Sequence, residues 1–172
     1  DGIHWRKPSL GIHTFNGSTE NNITISDQTF GELQPDGAHP AIFKDPNPAA
    51  PNSARYKAIL RSHEPNGLVV LKSADGKQWS PLFDTPILHE KGAFDSQNLA
   101  FWDPITKQYR AYWRSFTGGD ARNPEWNPKG NRSIRTGLSE DLQNWEHLTD
   151  LSYEDSFPQQ LYTNGVQLYH RA

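Results

Sequence analysis

The chain has 172 residues, about one domain's worth, and 17 Lys and Arg against 20 Asp and Glu give a formal net charge of −3. That excludes binding of nucleic acid or an anionic membrane through bulk positive charge. With no cysteine there are no disulfides, thiolate metal sites or cysteine nucleophiles.

No apolar run is long enough for a transmembrane helix and no signal peptide opens the chain. Only 34% of residues are hydrophobic, yet there are 6 Trp, 6 Tyr and 8 Phe, punctuated by 13 Gly and 13 Pro. That composition describes a turn-rich β protein with an aromatic core. Methionine is absent even at position 1, so the expectation is a chain that starts inside a longer reading frame.

In chain order, strands are predicted at 39–44, 55–61, 67–72, 97–102, 108–115, 132–138 and 164–169. Shorter strands are predicted after Trp79 and Trp145. No helix is predicted: 149–160 is the nearest candidate, and Pro158 argues against it.

Two patterns repeat. One is a turn: Asp1-Gly2-Ile3-His4-Trp5, Ser73-Ala74-Asp75-Gly76-Lys77-Gln78-Trp79 and Ser139-Glu140-Asp141-Leu142-Gln143-Asn144-Trp145. Its tryptophans recur 74 and then 66 residues apart. The other is an apolar strand that ends at Asp and leads to a Tyr-led strand. Phe43-Lys44-Asp45 precedes Tyr56, and Phe101-Trp102-Asp103 precedes Tyr109.

Four strands per repeat of this length read as a β-propeller blade. The predicted organisation is a blade remnant to about 35, a blade at 36–93, a blade at 94–160 and the start of another at 161–172. The fold class is therefore all-β, an antiparallel propeller, incomplete in this chain. A small sandwich complete in itself is the alternative.

In the turn, the Asp side chain is expected to accept backbone N–H bonds two residues on. The Trp is expected to pack between blades, with its N–H on a carbonyl. Those residues, with Trp102 and Trp113, are read as structural.

The Ser-x-Asp-Gly-x-x-Trp turn and the strand pattern resemble the five-bladed propeller glycosidases, the invertase-type and arabinanase-type families. The stretches Gly92–Asp103 and Tyr162–Gln167 are most similar to a poorly characterised invertase-like branch. The rival is the sialidase repeat, whose Gly falls one residue later than Gly76 and which also needs an arginine cluster and a Tyr nucleophile. Arg114, Arg132 and Arg135 are present, without a spacing that specifies such a cluster.

The resemblance implies hydrolysis of an oligo- or polysaccharide, with carboxylates from several blades around the channel mouth, where each blade's inner strand begins. It implies secretion or a periplasmic location. An oxocarbenium-like transition state needs one carboxylate at the ring and one acid at the leaving oxygen.

Aligned on Phe43 and Phe101, His39 matches Gln97 and Gly37 matches Asp95. Asp95 is thus the candidate catalytic carboxylate, as base or as the group that positions the sugar; a strand-start turn residue is the alternative. Asp36, His39, Gln97, Asn98, Arg114 and Asn164 are the candidate sugar-binding residues: the amides of Gln97, Asn98 and Asn164 both donate and accept, His39 could bond a hydroxyl or ligate a metal, and Arg114 could pair with a channel carboxylate. For Asp36 a turn role is the alternative, for His39 a satisfied strand-start histidine, and for Arg114 a surface position.

Glu154 or Asp155 is a candidate acid on a loop. The invertase-type Asn-Asp-Pro-Asn-Gly-like entry motif is absent, so at least one family carboxylate is unplaced. No metal, other cofactor, nucleic acid or membrane is called for; the expected partners are a carbohydrate and further blades, from the same polypeptide or another copy. A non-catalytic carbohydrate-binding or scaffold propeller is the alternative function. Sequons fall at Asn16, Asn22 and Asn131.

Overall fold

The structure is a computed structural model that describes residues 2–26, 30–89, 92–119 and 127–169. It is all-β, built as two four-stranded antiparallel sheets. The first holds β1 (Ala41–Lys44), β2 (Tyr56–Ser62), β3 (Gly67–Ser73) and β4 (Ser80–Pro81). The second holds β5 (Leu99–Asp103), β6 (Gln108–Phe116), β7 (Arg132–Ser139) and β8 (Glu146–Asp150). In each sheet spatial order follows chain order. One short 3-10 turn, Asn52–Ala54, joins β1 to β2.

The sequence repeat is a structural repeat. Tyr56 lies opposite Ser73 in the first sheet, and Tyr109 lies opposite Ser139 in the second. Each Tyr therefore faces the Ser that opens the Ser-x-Asp turn. Ser139 Oγ accepts the Leu142 N–H at 2.9 Å, and Asp141 Oδ1 accepts the N–H groups of Gln143 and Asn144, both at 2.8 Å. Ser73 and Asp75 repeat this on Gly76, Lys77 and Gln78.

The residue after the Asp is left-handed in all three copies: Gly2, Gly76 and Leu142, with φ of 77°, 75° and 68°. Glycine adopts that conformation freely. Leu142 is instead held there by burial against Trp102 and Tyr109.

β2 and β3 read as near-continuous apolar runs because both faces are covered. On one face Ile59, Leu68 and Val70 pack with Ala100, Ala111 and Trp113 of the second sheet and with Phe94 from the connection. On the other, Ala58, Leu60, Val69 and Leu71 pack with Leu33 and Trp79. Trp102 and Trp113 are buried, as expected for core residues. β4 and β8 are the outer strands of their sheets; Pro81 and the mostly exposed Glu146–Asp150 suit that position.

A buried polar network joins the sheets. Asp45, just past β1, accepts from Lys57 Nζ of β2 and, at 2.6 Å, from the Tyr109 hydroxyl of β6. Asn47 Nδ2 donates to the same hydroxyl at 3.0 Å. Lys57 also donates to the Ala54 carbonyl at 3.0 Å. Burial and the Asp45 partner push the Tyr109 phenol well above its usual range.

Three expectations are corrected. Residues 164–169 form no strand: they pair with none of the sheet edges among the described residues. β1 and β5 begin two residues later than predicted, at Ala41 and Leu99. Pro40 has no N–H to give a ladder, and the Asn98 side chain is committed to a turn. The indole N–H of Trp145 does bond a carbonyl, that of Leu142 at 3.0 Å, but that of Trp79 is buried with no acceptor among the described residues.

Lys57→Met should cost about 3 kcal/mol, because it strands a buried carboxylate. Tyr109→Phe should cost about 1 kcal/mol, the worth of one hydrogen bond. Urea denaturation of the two variants checks the order.

The turn carboxyls set an acid limit. Lys77 and Gln78 N–H bonds hold Asp75 below its ordinary value; burial raises Asp103 and Asp141, but their turn bonds outweigh it. Depressed carboxyls contribute stability above the unfolded value and lose it as pH falls through the folded one. Thermal melts should hold steady from neutral pH to about 5 and drop below about 4. Asp141→Asn should start lower and fall less steeply.

Candidate functional site

Polar residues gather just before the first strand of each sheet, where the predicted site residues lie. Before β1, Asp36 Oδ1 accepts the Ala38 N–H at 2.8 Å, which makes it a turn residue. Its Oδ2 lies 3.4 Å from His39 Nδ1 and 3.8 Å from His63 Nε2, both on exposed rings. Burial raises the Asp36 carboxyl, but the Ala38 bond and the two histidines outweigh it and hold it below its ordinary value.

Before β5, Asp95 pairs with Nη2 of Arg114, which reaches it from the far end of β6. Asp95 is half exposed, whereas the Arg114 side chain is only 3% exposed. The alternative of a surface arginine is thereby corrected. The guanidinium stacks over the Tyr162 ring at 4.9 Å from its centroid. Its Nε and Nη1 are buried and donate to nothing among the described residues.

Asn98 is fully buried, and its amide donates to the carbonyls of Phe94 at 3.0 Å and Ser96 at 2.8 Å. It locks the 94–98 turn, which seats Phe94 in the core and leaves Asp95 outward. The Asn98 Oδ1 and Ser96 Oγ atoms are buried without a partner among the described residues, as are both amide atoms of Asn164. Gln97 is exposed. Glu154 and Asp155 sit in an exposed turn beyond β8.

The structure thus joins Asp36 with His39, and Asp95 with Arg114. It adds three residues that the sequence reading passed over as site members: His63, Arg132 and Tyr162. Arg132 lies 5.5 Å from the same Tyr162 ring centroid. Its signal was present, since Arg114 pairs with Ile134 and Phe116 with Arg132 in the β6–β7 ladder. Residues in that diagonal relation share a face, which a sequence separation of 18 conceals. Arg135 falls on the opposite face and forms a two-point ion pair with Asp150, at 2.6 and 3.0 Å.

Beside Arg132 opens a cavity of about 350 Å³, floored by β7 and walled by Tyr153, Phe157, Gln159 and Leu161. Among the described residues no group of three or more His, Cys, Asp or Glu side chains is placed to hold a metal ion.

Comparison with protein-family models, with curated proteins and with solved structures gave no match.

Asn98→Ala should cost about 2 kcal/mol, since it unpairs two buried turn carbonyls. Asn98→Asp should be worse, because a carboxylate would face those carbonyls. Thermal melts of both variants check this; equal, small effects would remove Asn98 as the lock.

Proposed function

We propose that the two sheets are adjacent blades of a β-propeller. We further propose that this propeller is glycoside hydrolase-like and binds an oligo- or polysaccharide at the Asp95 cluster. The propeller reading rests on two consecutive four-stranded meanders that carry the same turn at the same register. A closed ring needs more blades than two, supplied by the same polypeptide or by another copy.

The functional reading rests chiefly on one observation: a half-exposed carboxylate is held by a buried arginine whose Nε and Nη1, like the neighbouring Ser96 Oγ and Asn98 Oδ1, have no partner among the described residues. Buried polar groups are normally satisfied, so a cluster of idle amide and guanidinium atoms suits a hydroxyl-rich ligand. Asp95 would serve as base or as the group that positions the sugar. Two-carboxylate hydrolysis also requires an acid, which Glu154 or Asp155 would supply from the loop after β8.

The second reading is a non-catalytic carbohydrate-binding propeller. It is favoured by the ion pair itself, which already occupies one oxygen of Asp95. The sialidase-like reading is weaker: its turn places the glycine differently, and Arg135 is bound away by Asp150.

Reducing-sugar release from a panel of glycans separates these, with the Asp95→Asn variant assayed below its own melting temperature. Release by the parent and a loss of about a hundredfold or more in the variant supports hydrolysis through Asp95. Release unchanged by the substitution removes Asp95 from the chemistry. Binding without release supports the second reading.

A further inference from the structure

The ligand proposed above has so far been characterised only by its hydroxyl groups. The cationic residues say more. Arg114 and Arg132 lie diagonally on one face of the β6–β7 ladder, and both guanidiniums flank the half-exposed Tyr162 ring. Arg114 is buried, yet only its Nη2 has an acceptor; Nε and Nη1 have none among the described residues.

Arg132 Nε is likewise buried and unpartnered, while its Nη1 donates to Gln160 Oε1 at 3.2 Å. A charged donor without an acceptor is costly to bury, so these three N–H groups call for an acceptor from outside the described residues.

The local charge limits what that acceptor is. Asp95 is held by Arg114, and Asp150 is occupied on the opposite face of the sheet by Arg135 and the Ser115 hydroxyl. Among the described residues, two guanidiniums against one carboxylate leave a single positive charge at Tyr162. A monoanion matches that balance; a dianion such as a phosphate monoester overshoots it. The planar guanidinium suits a carboxylate.

We propose that Arg114, Arg132 and Tyr162 form a subsite for the carboxylate of an acidic saccharide, a uronate-type sugar. The proposal rests on the reading that the Asp95 cluster binds a saccharide, and it narrows that ligand from neutral glycans to acidic ones. The cavity beside Arg132 lies at the smaller end of known ligand sites, roughly 300–1,000 Å³, and gives the neighbouring sugar a place against Tyr153 and Phe157.

The test is calorimetric titration of the chain at neutral pH. The probes are trimers of galacturonate, glucuronate and mannuronate, each beside its carboxyl-reduced neutral counterpart, with acetate and sulfate as free anions. At least one acidic trimer should bind about tenfold or more tighter than its neutral form, as expected for hydrogen bonds to a charged group. Arg132→Gln should remove most of that preference; Arg132→Lys should restore it only in part.

Arg132 is the first target because it is less buried than Arg114. Equal binding of acidic and neutral trimers overturns the proposal, as does a preference that Arg132→Gln leaves intact. Acetate or sulfate binding as tightly as the trimers overturns it too, by making this an anion site without sugar specificity. No binding of any acidic trimer up to about 10 mM, the weak end of specific affinity, also overturns it. Neutral glycans bound or cleaved in preference to acidic ones would overturn this proposal alone. An acidic trimer bound but never cleaved would overturn only hydrolysis.

Discussion

The arrangement of the two sheets depends on one buried carboxylate. Asp45 lies at the end of β1 and takes bonds from Lys57 in β2, Tyr109 in β6 and the Asn47 N–H in its own turn. Apolar contact between the sheets is larger in area but has no direction, and would tolerate some sliding of one sheet on the other. A desolvated charge does not tolerate it, since each lost partner leaves a costly group behind. The network therefore fixes which part of β6 meets the end of β1. With the sheets set, Phe94 enters the shared core and its turn places Asp95 at the start of β5.

Much of this fold was legible because its signals are local. The Ser-x-Asp turns are decided within a few residues, by hydroxyl and carboxylate bonds to the next N–H groups. β2 and β3 declare themselves by apolar runs between turn residues. The stretch 164–169 misled because composition describes what a strand would bury; a strand also needs a partner to pair with. The start of β5 was misplaced for a related reason: Asn98 reads as a polar strand residue, but its amide satisfies turn carbonyls instead.

The site was legible only in part. Asp95 stood out as polarity ahead of an apolar strand, and Asp36 with His39 as a matching position in the preceding repeat. Their partners did not stand out. Arg114 and Arg132 are separated by a hairpin, and only the β6–β7 register brings them to one aromatic ring. His63 follows the end of β2 and meets Asp36 through strand pairing. In a sheet protein, catalytic or binding groups from adjacent strands are neighbours by register, and register is written in the turns and cores rather than in the site residues.

Leu142 holds the place that glycine takes in the other two copies of the turn, and it does so with its side chain sealed between Trp102 and Tyr109. A left-handed leucine is disfavoured by about 1–2 kcal/mol, and burying the side chain returns about 1.5–3 kcal/mol. The two effects nearly cancel, so the same loop geometry can be reached by backbone freedom or by a hydrophobic plug. Each route has its own vulnerability. A glycine turn tolerates loss of its neighbours, whereas the Leu142 turn holds its shape only while the core beneath it stays closed. Loosening around Trp102 would therefore travel outward and unseat a surface loop.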